Sequence, residues 1–384
     1  MTRRPASAHD YRLAAKSVLP KTLFEYVDGG SLDEGTLSRN VSDFDRVFIR
    51  QRALGGGEVD LTSALMGRKA SFPVALAPVG SLGMLYPRGE LVAFRAAHAA
   101  DISACLSSFS ICSIEDVAPE VQPGDAFQLY LLKDHGWTDE IISRAEQAGF
   151  DTLVVTVDTT HPGMRDRDLR NGYRSVVRPP LSMMLDVAMH PGWLVRSLPD
   201  LARGLGNYHK RPGVGHGLLA QAAFMARQLK TDLTWPDIAA VAKRWKGRLV
   251  VKGITDADDA ARAVDAGAAA VVVSNHGGRQ LDGGFSSLAA LPRVVERIGA
   301  STEVIFDSGI RRGSHLFKAI ALGANGCLVG RSYAFALASG GEKGVTALIE
   351  MLRKELTMTM VLAGANSVAE ISKDTCLEDG GRTL

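Results

Sequence analysis

The chain has 384 residues and very little surplus charge, with 44 Lys+Arg against 42 Asp+Glu. A net +2 removes any bulk electrostatic reason to expect nucleic acid. Cysteine is scarce. Cys105, Cys112, Cys327 and Cys376 are scattered, and none forms a CxxC pair. They read as small buried hydrophobes in a reducing compartment rather than as metal or redox groups, and no metal set is expected. No run of 18 apolar residues occurs, which excludes a transmembrane helix. The opening MTRRPASAHDYRLAAKSVLP has Arg3-Arg4 but no apolar stretch behind them, which argues against a secretory leader. A dinucleotide-binding GxGxxG is also missing. The nearest cluster, Gly213-Val-Gly215-His-Gly217, follows His-Lys-Arg-Pro rather than a strand, and Leu218 occupies its sixth position.

What is present is a rhythm. Eight short runs rich in Val, Ile, Leu and Ala read as buried strands: Pro73–Ala77, Ser103–Ser107, Ala126–Leu131, Thr152–Val157, Arg248–Lys252, Ala270–Ser274, Glu303–Asp307 and Gly326–Gly330. Helical patterns at 89–100, 139–149, 256–267 and 314–323 lie between them. The phrases AEQAGFDTLVVTVD, AVDAGAAAVVVSN and AIALGANGCLVGR each run helix end, Gly, strand. Glycine past a helix end supplies the left-handed cap that turns the chain into the next strand. Repeated βα units imply a parallel sheet, and eight strands favour a closed (β/α)8 TIM barrel. Forty glycines let backbone approach a ligand closely at several points.

Two segments fall outside that rhythm. Residues 1–70 carry the helical pattern YRLAAKSVLPKTLFEYV and are expected to cap the barrel floor or edge. About 90 residues, 158–247, separate strands four and five, where a βα loop needs only a few. The expected organisation is an N-terminal helical extension (1–70), a barrel (71–370) and a C-terminal tail (371–384). Within the barrel, residues 174–217 are expected to form a membrane-contacting or mobile insertion, because Met, Leu and Trp stand there beside Arg and Lys; the alternative is a solvent loop or a contact with a partner subunit. The flank from Leu218 to Lys230 reads as helical.

Barrels of this type place chemistry at the carboxyl ends of their strands. Those ends carry Pro78-Val79-Gly80, Ser107-Ser108-Phe109, Gln128 and Tyr130, Thr156-Val157-Asp158, Lys252, Ser274-Asn275-His276-Gly277-Gly278-Arg279, Asp307-Ser308-Gly309-Ile310-Arg311, and Gly330-Arg331. One charged residue ending an apolar strand only marks the return to solvent. Seven of eight strands ending in polar or glycine-rich groups describe a mouth built for a ligand. Gly309-Ile310-Arg311 and Gly330-Arg331 follow strands seven and eight, where barrels bind phosphate on backbone N–H groups and a helix N-terminus.

These blocks resemble the FMN-dependent α-hydroxy-acid dehydrogenase and oxidase family. The resemblance runs in order from DYRLAAKSVLP and FEYVDGG through FQLY, TVD…PGMR and VVKG to SNHGGRQLDG, DSGIRRG and LGANGCLVGR. ALAPVGSLGM, ICSIEDVAPE and LAGANSVAEISKD are similar to the bacterial respiratory L-lactate dehydrogenase subgroup, with mandelate dehydrogenases as near neighbours. The resemblance implies oxidation of an L-2-hydroxy acid, lactate to pyruvate first, with electrons passed from FMN to membrane quinone. The rival readings are a mandelate-type dehydrogenase, a hydroxy-acid oxidase making hydrogen peroxide, or a non-catalytic flavin-binding or membrane-docking module. Intact Lys252, His276, Arg165 and Arg279 argue against the last.

The same resemblance assigns roles. Gly309, Arg311, Gly330 and Arg331 would hold the FMN phosphate. Pro78, Val79 and Gly80 would offer backbone to the flavin, and Ser107, Gln128 and Thr156 would hydrogen-bond its edge. Ser274 and Asp307 would hold the ribityl chain. Lys252 would stabilise negative charge on the reduced ring. His276 would be the general base, with Asp158 pairing its imidazolium. Arg165 and Arg279 would grip the substrate carboxylate, and Tyr26 and Tyr130 would hydrogen-bond the substrate. Gly80 and Phe109 stand where plant glycolate oxidases carry alanine and tryptophan, which implies a larger pocket. Gly80 also resembles members that react poorly with oxygen. Met164 replaces the first arginine of the usual pair, and His315 replaces a common aspartate with little expected catalytic effect. The family resemblance further implies a homo-oligomer, a tetramer by analogy, peripheral on the cytoplasmic side of the membrane.

Overall fold

The computed structural model describes residues 5–54, 57–172, 180–208 and 213–378. Eight parallel strands form its centre: β1 (Val74–Leu76), β2 (Cys105–Ser107), β3 (Ala126–Leu129), β4 (Thr152–Thr156), β5 (Arg248–Ile254), β6 (Ala270–Val273), β7 (Glu303–Asp307) and β8 (Gly326–Val329). Consecutive strands from β2 to β8 pair in sequence order, and β8 pairs β1. A parallel bridge between Leu76 and Ala104 joins β1 to the lead-in of β2 and completes the ring. The expected TIM barrel is therefore present, with strands one or two residues shorter than the apolar runs at most positions. Strand three stops at Leu129, so Tyr130 lies just beyond it rather than within it.

Strand five departs the other way. It continues past Lys252 to Ile254, with a register shift between those two residues. Gly253 sits at the irregularity with φ +105°, and a Cβ there would come within 2.6 Å of Asp158 Cγ. The sequence predicts an end to this strand at Lys252. In the fold Gly253 is a bulge that makes room for a neighbouring strand's carboxylate.

The barrel interior is filled by alternate residues of the strands, among them Ala75, Cys105, Ala126, Val154, Val250, Val272, Ile305 and Leu328. Leu65 and Met66, at the turn of the hairpin Ser63–Leu65/Arg68–Ala70, join that cluster. This hairpin thus closes the floor of the barrel. The outer helices begin where acidic or hydroxyl side chains cap them: Asp134 accepts from Trp137 N, Asp256 from Asp258 N and Asp259 N, and Ser286 from Ala289 N. Gly149, Gly267 and Gly323 follow three helices at φ +90°, +103° and +102°, as the repeated phrase requires. All four cysteines are buried and free.

The pattern YRLAAKSVLPKTLFEYV forms two helices, Ala8–Val18 and Lys21–Asp28, separated at Leu19-Pro20. Between β4 and β5 lie the helices Asp166–Arg170, Leu181–Ala188, Pro191–Arg203, Leu218–Gln228 and Trp235–Arg244. The expected insertion 174–217 falls partly on residues 174–179 and 209–212, which lie outside the described residues. Its helices Leu181–Ala188 and Pro191–Arg203 expose Leu181, Met184, Leu185, Val195 and Leu198, and Met189 is exposed between them. Among the described residues no helix is long and apolar enough to cross a membrane. The tail, within the described residues, pairs Cys376–Glu378 antiparallel with Val47–Ile49.

Candidate active site

The loop after β6 runs through three consecutive left-handed residues. His276, Gly277 and Gly278 follow one another at φ +58°, +69° and +73°. A left-handed conformation costs a side-chain-bearing residue about 1 kcal/mol or more, so the surroundings must hold His276 there. They do so by contact. A Cβ at Gly278 would overlap the backbone of Leu37, in the helix Gly35–Ser42. Asn40 and Asn275 exchange side-chain amide hydrogen bonds at 2.8 Å, and Gly277 N donates to Ser308 Oγ at 3.0 Å. This turn aims His276 Nδ1 at Asp158 Oδ1, 3.0 Å away. With Nδ1 so engaged, Nε2 is left for proton chemistry. Gln280 fixes the other side of the pair by donating to Asp158 O at 2.6 Å and His161 O at 3.0 Å.

Lys252 lies deeper, 4% exposed. Its Nζ is 2.9 Å from Asp307 Oδ2 and 3.0 Å from Ser274 Oγ, and Ser274 in turn donates to Asp307 at 2.6 Å. Burial works against the ammonium, but Asp307 and Asp158 outweigh it and hold Lys252 above its ordinary value. Burial likewise opposes the Asp307 carboxylate, and Lys252 and Ser274 overcome it. The cation is therefore kept in a nearly dry position at the end of the barrel.

Two further cations are half-buried without a carboxylate paired to them among the described residues. Among the described residues neither Arg311 nor Arg331 forms an ion pair. Burial pulls Arg311 down to about 10. Arg331 is pulled well down by burial, with Arg279 and Arg311 adding repulsion. Arg331 donates at 2.8 Å to each of Val27 O, Gly277 O and Gly29 O, and Arg311 donates to Ile310 O at 2.9 Å. Carbonyls solvate a guanidinium but do not neutralise it. Gly330 caps the helix Arg331–Ala363, whose N-terminus adds unpaired N–H groups. The other flank is Gly309 at φ +90°, where a Cβ would overlap Asn40 O. The arrangement calls for an anion.

The remaining expected residues line the same end. Tyr26 lies under two guanidiniums, Arg279 at 5.0 Å and Arg165 at 5.4 Å from its ring centroid. Arg279 also donates to Tyr26 O at 2.6 Å. Arg165 Nε is within ion-pair distance of Asp168, 3.0 Å, but the two are not aligned as a hydrogen bond. Ser107 donates to Gln128 Oε1 at 2.9 Å, which fixes the amide, and Gln128 Nε2 is buried with no partner among the described residues. Thr156 is buried at the end of β4. Phe109 meets Tyr130 edge-on, with centroids 5.3 Å apart. Burial, with Asp158 and Tyr26 nearby, pushes the Tyr130 hydroxyl upward, so it stays protonated. Pro78, Val79 and Gly80 follow β1, and a Cβ on Gly80 would meet Phe109 Cβ at 3.5 Å.

Sequence reasoning passed over Asn40, Gln280, Ser308 and Tyr208. Gln280 and Ser308 sit inside the polar blocks SNHGGRQLDG and DSGIRRG, so a signal existed. Asn40 and Tyr208 have none, because what matters is contact across more than 90 residues of chain.

The donor set fits FMN. An uncompensated arginine pair beside a helix N-terminus suits a phosphate, and an orphaned buried amide N–H suits a flavin carbonyl. The comparisons agree. An L-lactate dehydrogenase of Azorhizobium caulinodans is 43% identical over 372 residues, 96% of this chain and 98% of that protein. An L-lactate dehydrogenase of Pseudomonas putida (strain GB-1) is 42% identical over 381 residues, 98% of this chain and 99% of the relative. The crystal structure of the monotopic membrane protein (S)-mandelate dehydrogenase superposes with a TM-score of 0.92 at 32% identity, covering 98% of this chain and all of that one. A mandelate oxidase crystal structure gives 0.81 at 36% identity, covering 95% of this chain and 96% of that one. The sequence model of the FMN-dependent dehydrogenases matches residues 15–378, and the chain belongs to that family.

Proposed function

We propose that the protein oxidises an L-2-hydroxy acid to the 2-oxo acid, with L-lactate to pyruvate as the first reaction to test. The observation that carries this reading is the His276–Asp158 pair, whose Nδ1–Oδ1 contact of 3.0 Å orients the ring beside buried Lys252. FMN, when bound, would accept the two electrons of the oxidation together with one of its two protons, leaving the other to a base. His276 Nε2 takes the proton released, and Asp158 stabilises the imidazolium that results. Lys252 offers a fixed positive charge to the reduced cofactor. Arg165 and Arg279 hold the substrate carboxylate, with Tyr26 and Tyr130 donating hydrogen bonds to it or to the hydroxyl oxygen. Ser107, Gln128, Thr156 and the backbone of Pro78, Val79 and Gly80 hold the ring system. Ser274 and Asp307 hold the ribityl chain, and Gly309, Arg311, Gly330 and Arg331 hold the phosphate. Residues 71–370 then act as one FMN-binding barrel.

Quinone is the proposed acceptor. The exposed apolar side chains of helices Leu181–Ala188 and Pro191–Arg203 support peripheral attachment to a membrane, where quinone is dissolved, and the cytoplasmic face is the proposed side. The proposed assembly is a homotetramer. Anaerobic flavin reduction by L-lactate, L-mandelate and glycolate, followed by reoxidation with a quinone analogue or with oxygen, tests the reading. Rapid reduction by L-lactate and slow reoxidation by air are expected. No reduction by any of the three acids would end it, and fast reoxidation by air would make the protein an oxidase. A mandelate-type substrate is the second reading, favoured by Gly80, which puts no side chain beside Phe109.

A further inference from the structure

The long segment between β4 and β5 is anchored at the pocket by its own inner face. Trp193, in helix Pro191–Arg203, donates to Met84 O at 2.7 Å, and Asp200 accepts from Arg88 N at 2.6 Å. Both partners lie in the turn that follows Gly80. The chain then passes behind the loop after β2. A Cβ on Gly206 would overlap Ile111 O and Ser113 N, so the two backbones are in contact there. Asn207 stitches them together. Its Nδ2 donates to Ser108 O and Ser110 Oγ, both at 3.2 Å, and its Oδ1 accepts from Ile114 N at 2.8 Å. The next residue, Tyr208, has no exposed surface. Its ring stands edge-on to Trp137 (5.5 Å) and to Phe109 (6.0 Å), and Phe109 continues the row to Tyr130.

Half-buried Phe109 therefore touches Gly80 and Tyr130 on the substrate side of the pocket and also packs against Tyr208, which is fully buried. A close-packed ring cannot retreat into an occupied position. We propose that Tyr208 is a specificity-determining position. It acts through Phe109, setting how far that ring stands from Gly80 and Tyr130 and hence the size of the side chain accepted on a 2-hydroxy acid. This rests on the reading of Gly80 and Phe109 as the substrate wall. It adds that the wall is built jointly by the β2 loop and by the end of the insertion whose outer helices carry the exposed apolar residues. Tyr208 is a positioning residue, since it touches Phe109 rather than the substrate.

The test compares kcat/KM for L-mandelate and L-lactate in the FMN-loaded full chain. Variants are Tyr208→Phe, Tyr208→Leu, Tyr208→Ala, Phe109→Ala and the double alanine variant, with flavin absorbance and Tm followed in each. Tyr208→Phe keeps the ring and should leave the mandelate-to-lactate ratio within about twofold of the native value. Tyr208→Ala lets Phe109 move back and should raise the ratio about tenfold, chiefly through a lower KM for mandelate. Tyr208→Leu should move it the same way by less, and serves if the alanine variant does not fold. Adding Tyr208→Ala to Phe109→Ala should change the ratio no further, because the intermediary is gone. A ratio unmoved in both Leu and Ala variants would overturn the proposal, as would equal losses for both substrates with a lower Tm. Failure of the native enzyme to reduce flavin with either acid would instead overturn the proposed function.

Discussion

His276 carries the most weight for its size. It tolerates a left-handed backbone, engages Asp158 through Nδ1 and leaves Nε2 for the proton. His276→Ala is expected to retain FMN, visible as unchanged flavin absorbance, and to lose at least about a hundredfold in kcat. Near-native turnover would remove it from the chemistry. Gly80 makes a second residue-scale prediction. A methyl group there meets its nearest neighbours at 3.5–3.9 Å, ordinary contact distances, so Gly80→Ala should fold with Tm unchanged. It should raise KM for mandelate more than for lactate, because the added volume lies beside Phe109. His276, Asp158 and Lys252 were legible in the sequence because strand ends in a barrel converge by construction. Arg331 was legible as a cation at the mouth. Its three bonds to backbone carbonyls of the N-terminal segment and the His276 loop were not, because no local pattern encodes a partner 300 residues away.

The loop and helix after β7 act as a unit. Gly309 presses against Asn40, and His315, on the helix Gly313–Ala321, stacks on Phe44 with centroids 4.1 Å apart. His315 Nδ1 lies 3.3 Å from both Gly309 O and Arg311 N. Gly309→Ala places a methyl group on a carbonyl oxygen at an unfavourable φ, so the loop must shift. FMN affinity, measured by fluorescence on reconstitution, should fall at least about tenfold, by the size of such backbone effects. Burial pulls His315 down to about 4. The unfolded chain binds that proton nearer 6.5, so between these values the unfolded state holds more protons and stability falls as pH falls. The contribution is complete above 6.5 and has a full size of about 3 kcal/mol. His315→Gln should flatten the dependence of Tm on pH between 6.5 and 4. An unchanged slope would show that this ring does not set it. The sequence marked His315 only as an exception to a common aspartate. Its stacking partner comes from the N-terminal extension and is invisible to any local pattern.

At the scale of the whole molecule, the barrel supplies convergence and the long segment after β4 supplies an outer face. Leu185 and Leu198 are 58% and 57% exposed on adjacent helices, while Trp193 and Asp200 dock the inner side. Replacing both leucines by glutamate should leave FMN content and flavin reduction by lactate intact. It should lower co-sedimentation with anionic lipid vesicles by at least about tenfold, since each buried leucine contributes roughly 1.5–3 kcal/mol. Equal vesicle binding by the variant would place the contact elsewhere.

The sequence by itself determined the beat of strand, helix and glycine, and with it the parallel barrel and the end at which its chemistry gathers. A period of apolar residues and a cap are local properties, so they survive in one dimension. Only the tertiary structure decided that strand five bulges at Gly253 to admit Asp158, that Arg311 and Arg331 lie half-buried with no ion pair among the described residues, and that Tyr208 packs against Phe109. Each of these depends on volume and charge shared between segments distant in the chain, and close packing fixes such relations only once the ring of strands has closed.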